Sequence, residues 1–142
     1  MNHEQREPLS ELPQQQNLQI HVGGQSEVIV HTDADKLERI LQNILSNAIK
    51  NTSAGAISIA FGDKADMFFI SVKDTGTGIE KSKLDLIFRR FYHGPDSSGL
   101  GLGLAIVKEL LQVMGGRIDV ESRPGEGSAF TLWLPKNEKE ES

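Results

Sequence analysis

The stretch Gly99-Leu100-Gly101-Leu102-Gly103-Leu104 runs directly into Ala105-Ile106-Val107-Lys108-Glu109-Leu110-Leu111. A glycine-rich loop therefore opens an amphipathic helix. Glycine lets backbone N–H groups come close to a ligand, and the first turn of a helix presents unpaired donors with a partial positive charge. This combination favours a bound phosphate group. The sequence predicts a phosphate-binding loop here, completed by segments from elsewhere in the chain.

The composition limits the classes of function that need to be considered. The 142 residues carry a net charge of −5, which argues against general attraction to nucleic acid or anionic lipid. They include no cysteine, which excludes disulfides and thiol chemistry. No apolar run approaches the ~20 residues of a transmembrane helix, and the N-terminus has no apolar signal segment. We expect a cytoplasmic protein without nucleic-acid partners or direct membrane contact.

The chain divides into one domain with two short ends. Residues 1–16 contain two prolines and a run of glutamines, which predicts an N-terminal arm or linker. Residues 17–135 form the predicted domain, with enough length for one hydrophobic core. Residues 136–142 form a charged tail.

Apolar periodicity predicts the order strands, helix, two strands, helix, helix, two strands. The predicted elements are strands over 18–22 and 28–30, a helix capped by Thr32 or Asp33 and running past Ala48, a hairpin over 56–61 and 67–72, helices over 81–91 and 101–114, and a hairpin over 118–121 and 129–134. Short turns between strands and helices between the pairs favour an α/β (α+β) two-layer sandwich. We expect a mostly antiparallel sheet covered on one face by about three helices.

A polar ridge lies along the first predicted helix. Arg39, Asn43, Asn47 and Lys50 are spaced four, four and three residues apart, which places them on one face beside the apolar stripe. An asparagine offers a neutral oxygen to a hard cation and an amide donor to a phosphate oxygen. Magnesium is typically held by few protein oxygens plus waters and substrate phosphates, so the ridge suits a magnesium-bound triphosphate. The alternative is a solvated helix face.

A second candidate is the segment Asp74-Thr75-Gly76-Thr77-Gly78-Ile79 at the end of a predicted strand. Asp74 can accept a hydrogen bond from an exocyclic amine, and Gly76 and Gly78 let a flat base lie against the backbone. Ile79 supplies an apolar wall. This chemistry fits adenine recognition; the alternative is an ordinary Asp/Gly turn.

Two further segments are candidates for the rim of the site. In Phe88-Arg89-Arg90-Phe91-Tyr92-His93, Arg90 or Arg89 can reach a phosphate oxygen, or the two arginines simply lie on the surface. Gly125-Glu126-Gly127-Ser128 is either a hairpin turn or one wall of a pocket. No Gly-Lys-Ser/Thr sequence occurs, which excludes a Walker A loop.

Taken in order, these segments resemble the catalytic ATP-binding domain of bacterial sensor histidine kinases, over roughly residues 17–135. The matching segments are Arg39–Thr52 (asparagine box), Asp74–Ile79 (first glycine box), Ile87–Tyr92 (phenylalanine box), Gly99–Leu104 (second glycine box) and Gly125–Phe130 (final glycine turn). The resemblance implies the mixed-sheet ATP-binding sandwich that is shared with gyrase-type ATPases, also called the Bergerat fold.

The resemblance also implies ATP and Mg²⁺ as cofactors. Asn43 and Asn47 approach the metal and phosphates, Asp74 binds the adenine amine, and 92–98 forms a lid. The predicted catalytic residues are Asn43, Asn47, Lys50 and Arg90; the predicted nucleotide contacts are Asp74, Gly76, Gly78, Ile79, Tyr92, Gly99, Leu100, Gly101, Leu102, Gly103, Leu104 and Ser128.

Three positions depart from the family pattern. Asn51 replaces a common aromatic residue, so a stacking contact from there is not expected. His93 replaces a common arginine, which makes any phosphate contact from it pH-dependent. Arg39 stands where related ATPases carry a water-activating glutamate, so fast hydrolysis is not expected and phosphotransfer is favoured.

The resemblance implies partners as well as a ligand. The phosphorylated histidine of the family lies on a separate dimerisation domain, and a response regulator acts downstream. The sequence around His3 resembles the motif of that histidine, but Pro13 and the glutamine run follow almost at once. We therefore expect a monomeric catalytic domain whose target histidine lies elsewhere. The alternatives are a serine kinase or ATPase of the same superfamily, or a nucleotide-gated interaction module.

Overall fold

The computed structural model describes residues 17–24, 27–52, 54–89 and 103–137. The elements are β1 (Asn17–Gly24), α1 (Ala34–Asn51), β2 (Ala54–Lys64), β3 (Met67–Asp74), a 3₁₀ helix (Lys81–Lys83), α2 (Gly103–Val113), β4 (Arg117–Arg123) and β5 (Gly127–Pro135). The predicted N-terminal arm and most of the predicted tail lie outside the described residues.

The five strands form one sheet in the order β1-β2-β3-β5-β4. β1 and β2 are parallel, whereas the β2–β3, β3–β5 and β4–β5 pairs are antiparallel. A parallel pair needs a crossover connection, and α1 lies within the connection from β1 to β2. The predicted mixed, mostly antiparallel sheet is confirmed.

The first helix begins where the sequence predicts. The Asp33 side chain caps α1 by accepting a hydrogen bond from the backbone N–H of Lys36 at 3.1 Å. Ile40, Ile44 and Ala48, one helical turn apart, are buried on one side of this helix. They share a single core with α2 and with the inner face of the sheet, whose buried residues include Val72, Phe130, Leu132 and Leu134. The two-layer sandwich is confirmed.

The strand predicted over 28–30 does not form. Of this region only His31 joins the sheet, through an isolated bridge to Asn137 in which the His31 N–H donates to the Lys136 carbonyl at 2.7 Å. Val28 and Val30 nevertheless pack against the core. Alternating apolar residues indicate that one side of an extended segment is buried. Packing of Val28 and Val30 on the core produces that pattern without strand pairing.

The helix predicted over 81–91 is also different in the structure, over the described residues 81–89. Residues 81–83 form a 3₁₀ helix and turns follow, with i to i+3 hydrogen bonds from Leu86 N–H to the Lys83 carbonyl and from Arg89 N–H to the Leu86 carbonyl. Ile87 and Phe88 pack on the core. Burial of these two side chains is compatible with the tighter turns, so the apolar spacing alone did not define an α-helix. The described residues contain two α-helices rather than about three, and none of the described helices is long and apolar enough to cross a membrane.

Candidate functional site

The inner face of the sheet changes from apolar to polar at one end. Val72, Phe130 and Val120 lie side by side on β3, β5 and β4, and the next row on that face is Asp74, Ser128 and Ser122. Asp74 is 2% exposed and Ser128 is 5% exposed. This polar row, buried at Asp74 and Ser128 and half-buried at Ser122, therefore marks the place where the chain leaves β3 and enters the segment predicted to recognise a base.

Asp74 has one satisfied oxygen and one open oxygen. Its Oδ1 accepts a hydrogen bond from the Gly76 N–H at 2.9 Å, whereas Oδ2 is buried and has no partner among the described residues. Burial raises the pKa of the Asp74 carboxyl, and backbone hydrogen bonds from Gly76 and Ser128 oppose the shift. Such an oxygen is a strong acceptor for a donor brought by a ligand.

Thr52 carries the second open atom. This residue is fully buried directly after α1, and its Oγ1 has no hydrogen-bond partner in the described part of the chain. A Cβ placed on Gly76 would stand 2.8 Å from Thr52 Oγ1, so both open atoms lie beside the same glycine. Sequence reasoning did not single out Thr52, and the available signal was a hydroxyl directly after the helix.

The segment after Asp74 is held tightly between two neighbours. The Thr77 N–H donates to the Asn51 carbonyl at 3.2 Å, and the Gly125 N–H donates to the Thr77 carbonyl at 2.7 Å. Gly78 has a φ of +75°, and a Cβ there would overlap the carbonyl of Arg123. Glycine is therefore required for packing of the backbone itself, while contact of Gly76 or Gly78 with a base stays a prediction.

A hydroxyl on β4 links this segment to β5. Ser122 Oγ accepts a hydrogen bond from the Ile79 N–H at 2.6 Å and lies 3.0 Å from the Gly127 carbonyl and 2.9 Å from Ser128 Oγ. Sequence reasoning missed Ser122. The signal was present, because the alternation of Ile118, Val120 and Ser122 places all three on the inner face.

The predicted phosphate side is built around the middle of α1. The Asn43 Nδ2 donates to the Arg39 carbonyl at 3.1 Å, and its Oδ1 would stand 3.5 Å from a Cβ placed on Gly103. The structure therefore brings Asn43 to the first residue of α2. Asn47 is half-buried, whereas Arg39 and Lys50 are exposed.

The Asn43 geometry fits the predicted metal role. Because its Nδ2 is bonded to the helix backbone, Oδ1 is the atom turned toward α2. A neutral oxygen in this position suits a magnesium ion that also binds waters and phosphates. Across the described ranges no group of three or more His, Cys, Asp or Glu residues is arranged to hold a metal by itself.

Some predicted site residues pack on the core, and others lie outside the described residues. Ile79 and Leu104 pack against the core, so they are wall residues at most. Outside the described residues lie Arg90, Tyr92, Gly99, Leu100, Gly101, Leu102 and the predicted lid over 92–98. Their roles stay predictions.

The two ends of the site share α1. Thr52 and the Asn51 carbonyl meet the Gly76 segment at its C-terminal end, and Asn43 meets Gly103 nearer its middle. The distance along the helix axis from Asn43 to Asn51 is about 12 Å at about 1.5 Å per residue. This arrangement suits an elongated ligand with an amine at one end and anionic groups at the other.

Comparison with known proteins agrees with this geometry. The sequence profile described as "Histidine kinase-, DNA gyrase B-, and HSP90-like ATPase" matches residues 32–138. The chain is 39% identical over 123 residues to the sensor histidine kinase WalK of Bacillus subtilis, covering 81% of this chain and 20% of WalK. It is 41% identical over 112 residues to the aerobic respiration control sensor protein ArcB of Escherichia coli, covering 74% of this chain and 14% of ArcB.

Solved structures give the same result. The catalytic domain of the histidine kinase ThkA superposes with a TM-score of 0.77 at 27% identity, covering 95% of this chain and 86% of that chain. Full-length ShkA in complex with AMPPNP superposes with a TM-score of 0.83 at 29% identity, covering 97% of this chain and 29% of that chain. This chain thus spans a fifth or less of the WalK and ArcB relatives. It belongs to the histidine kinase-, DNA gyrase B- and HSP90-like ATPase family.

Proposed function

We propose that this chain is the catalytic domain of a sensor histidine kinase, which binds ATP with Mg²⁺ and presents the γ-phosphate to a histidine on a dimerisation domain. The observation that carries the proposal is the buried Asp74, whose Oδ2 has no partner among the described residues. A buried acceptor left open in this way is costly unless a ligand supplies the missing donor.

Asp74 accounts for selection of the base. The exocyclic amine of adenine donates to Oδ2, while Oδ1 keeps its bond from the Gly76 N–H. Guanine carries a carbonyl oxygen where adenine carries the amine, and two acceptors facing each other repel. A hydrogen bond to a charged group contributes about 1.5–3 kcal/mol, which is enough to set nucleotide preference.

Asn43, Asn47 and Lys50 account for the phosphate side. The Asn43 and Asn47 oxygens would be the protein ligands of the metal, and Lys50 and Arg90 would neutralise phosphate charge. Gly99, Gly101 and Gly103 would offer backbone N–H groups to the phosphates; of these, Gly103 begins α2, where the helix dipole adds partial positive charge. Magnesium, when bound, supplies charge neutralisation across the phosphates.

The reaction follows from positioning rather than from a protein nucleophile. The imidazole nitrogen of the acceptor histidine attacks the γ-phosphorus in line, an N–P bond forms, and the bond to the β–γ bridging oxygen breaks to release ADP. Arg39 is exposed, and its guanidinium cannot serve as a base for water. A dimerisation domain upstream and a response regulator downstream are the proposed protein partners, in the cytoplasm where ATP is available.

Two measurements test the proposal in sequence. The first is calorimetric titration with a non-hydrolysable ATP analogue, with and without Mg²⁺, and with the matching GTP analogue as control. We expect saturable, adenine-selective binding that Mg²⁺ strengthens. Absence of binding at millimolar concentration contradicts the proposal.

The second measurement uses γ-labelled ATP and a dimerisation domain supplied from a related kinase. Acid-labile phosphate on that domain, lost when its histidine is replaced, supports histidine transfer. Stable phosphoserine or rapid hydrolysis instead supports a serine kinase or an ATPase of the same family. ATP binding without transfer to any histidine domain supports a nucleotide-gated interaction module.

A further inference from the structure

Ser122 occupies a junction of three segments at the base end of the site. Its Oγ accepts from the Ile79 N–H at 2.6 Å, lies 3.0 Å from the Gly127 carbonyl and lies 2.9 Å from Ser128 Oγ. Ser128 in turn lies directly between Ser122 and Asp74 in the strand register. The Ser122 hydroxyl therefore connects the segment after β3, the start of β5 at Gly127, and Ser128, which neighbours the buried Asp74 carboxylate.

The hydroxyl of Ser122 has one proton and two lone pairs, which allows two arrangements. The Ile79 N–H occupies one lone pair in both. In the first, Ser122 Oγ donates a hydrogen bond to the Gly127 carbonyl and accepts one from Ser128 Oγ. In the second, Ser122 donates to Ser128 Oγ, and the proton of Ser128 is free to point elsewhere.

The two arrangements differ in what Ser128 offers to a ligand. In the first arrangement Ser128 has only lone pairs to offer beside Asp74. In the second it has a donor there, on the residue that pairs with Asp74 in the strand register. The adenine edge presents an amine donor beside a ring-nitrogen acceptor, so it needs an acceptor and a donor side by side, in direct contact or through one water.

We propose that Ser122 is a positioning residue for base recognition, which fixes the Gly78–Ile79 backbone and directs the proton of Ser128 toward the base. The distances from Ser122 Oγ to its two possible acceptors, 3.0 and 2.9 Å, are nearly equal, so the proton changes partner without movement of heavy atoms. The inference rests on the proposed function, because it specifies how that same site distinguishes adenine.

The test compares Ser122→Ala with Ser122→Thr, which keeps the hydroxyl, and with Ser71→Ala as a matched control. Ser71 is a half-buried strand serine whose Oγ accepts from Thr131 Oγ1 at 3.4 Å on the opposite face of the sheet. We expect Ser122→Ala to raise the Kd for the ATP analogue about tenfold, the loss of one hydrogen bond. Ser122→Thr and Ser71→Ala retain binding within about twofold.

Two readouts separate positioning from a general loss of structure. Hydrogen exchange at the Ile79 amide becomes faster in Ser122→Ala, and the ratio of GTP-analogue to ATP-analogue Kd falls. In a Ser128→Ala background, Ser122→Ala raises the Kd by no more than about threefold, because Ser122 then has no Ser128 hydroxyl to orient. If Ser122→Ala does not fold, Ser122→Cys, with a weak donor of similar shape, is measured in its place and shows the same direction.

Two results overturn the inference. One is an unchanged Kd in Ser122→Ala; the other is a tenfold loss that persists undiminished without Ser128. A wild-type chain that binds no ATP analogue contradicts the proposed function itself. A wild-type chain that binds normally, with Ser122→Ala binding equally well, contradicts only the role of Ser122.

Discussion

Replacing Asp74 with Asn is expected to change stability and nucleotide binding in opposite directions. The side chain keeps its shape, and an Asn oxygen still accepts from the Gly76 N–H, as Oδ1 does at 2.9 Å. The change replaces a buried, open carboxylate oxygen with a neutral amide group. An unsatisfied buried group costs about 1–3 kcal/mol and more when charged, so we expect the nucleotide-free protein to gain about 1 kcal/mol at pH 7.

The pH dependence of this gain has a definite sign. Burial raises the pKa of Asp74 above its ordinary value of 3.8, so the folded protein holds the proton to a higher pH than the unfolded chain does. The wild type therefore loses stability as pH rises from about 3.8 through the raised pKa, and the full penalty is present above it. The stability advantage of Asp74→Asn is largest at neutral pH and shrinks as pH falls toward 4.

Nucleotide binding by Asp74→Asn is expected to be weaker than that of the wild type. Loss of a hydrogen bond to a charged acceptor removes about 1.5–3 kcal/mol, which corresponds to roughly a 10- to 150-fold higher Kd. At an analogue concentration of about 100 times the wild-type Kd, the wild type gains about 2.7 kcal/mol. A 30-fold weaker variant gains only about 0.9 kcal/mol by the same relation. The order of stabilities therefore reverses when nucleotide is added.

The assay is urea unfolding of both proteins, with and without the ATP analogue, at several pH values between 4 and 8. Asp119→Asn serves as control, because Asp119 is exposed on β4 and its ion pair with Arg117 is long at 3.7 Å. The reasoning is refuted if Asp74→Asn is less stable than the wild type without nucleotide, or if both gain equally from the analogue.

Four other substitutions, in three tests, probe separate parts of the molecule. Thr52→Val replaces a buried hydroxyl that has no partner among the described residues, so we expect unfolding free energy to stay level or rise; a fall of more than about 1 kcal/mol in urea unfolding contradicts this. Gly78→Ala and Gly125→Ala both place a Cβ at positive φ, +75° and +79°, but only the first meets backbone, at the Arg123 carbonyl, whereas the second has open space. We expect a cost of about 1 kcal/mol at Gly125 and at least about 2 kcal/mol more at Gly78, measured by urea midpoints; equal costs would show that crowding at Gly78 is relieved. Asn43→Ala is expected to abolish most of the strengthening of analogue binding by Mg²⁺ in calorimetry while leaving Mg²⁺-free binding within about threefold; an unchanged Mg²⁺ effect removes Asn43 from the metal site.

Local patterns predicted most of the fold. The recurrence of Ile40, Ile44 and Ala48 together with a capping Asp33 located α1, because periodicity and capping are properties of one continuous segment. The two wrong assignments, over 28–30 and 81–91, have a common cause. Both segments bury apolar residues against elements distant in sequence, and that burial imposes a pattern without imposing the hydrogen bonding of a strand or an α-helix.

The candidate site was predictable to the extent that it depends on local motifs. Asp74 was predicted from the glycines that follow it, and the structure buries it at the end of β3, while its contact with a base stays a prediction. Ser122 was missed because its importance lies in strand register. It becomes visible only when β4 pairs with β5 and β5 pairs with β3, which places Ser122, Ser128 and Asp74 in one row.

The sharing of α1 between the two ends of the site makes that helix a molecular ruler. Because one rigid helix carries Asn43 near Gly103 and Asn51 near Gly76, the span between the proposed anion and amine sites is set by the helical rise. On the proposed function, a free base or a free phosphate matches one end only, and a ligand of the correct length gains from both. The scaffold would then discriminate ligands by length, and a single residue inserted between Asn43 and Asn51 would rotate one end by about 100° relative to the other.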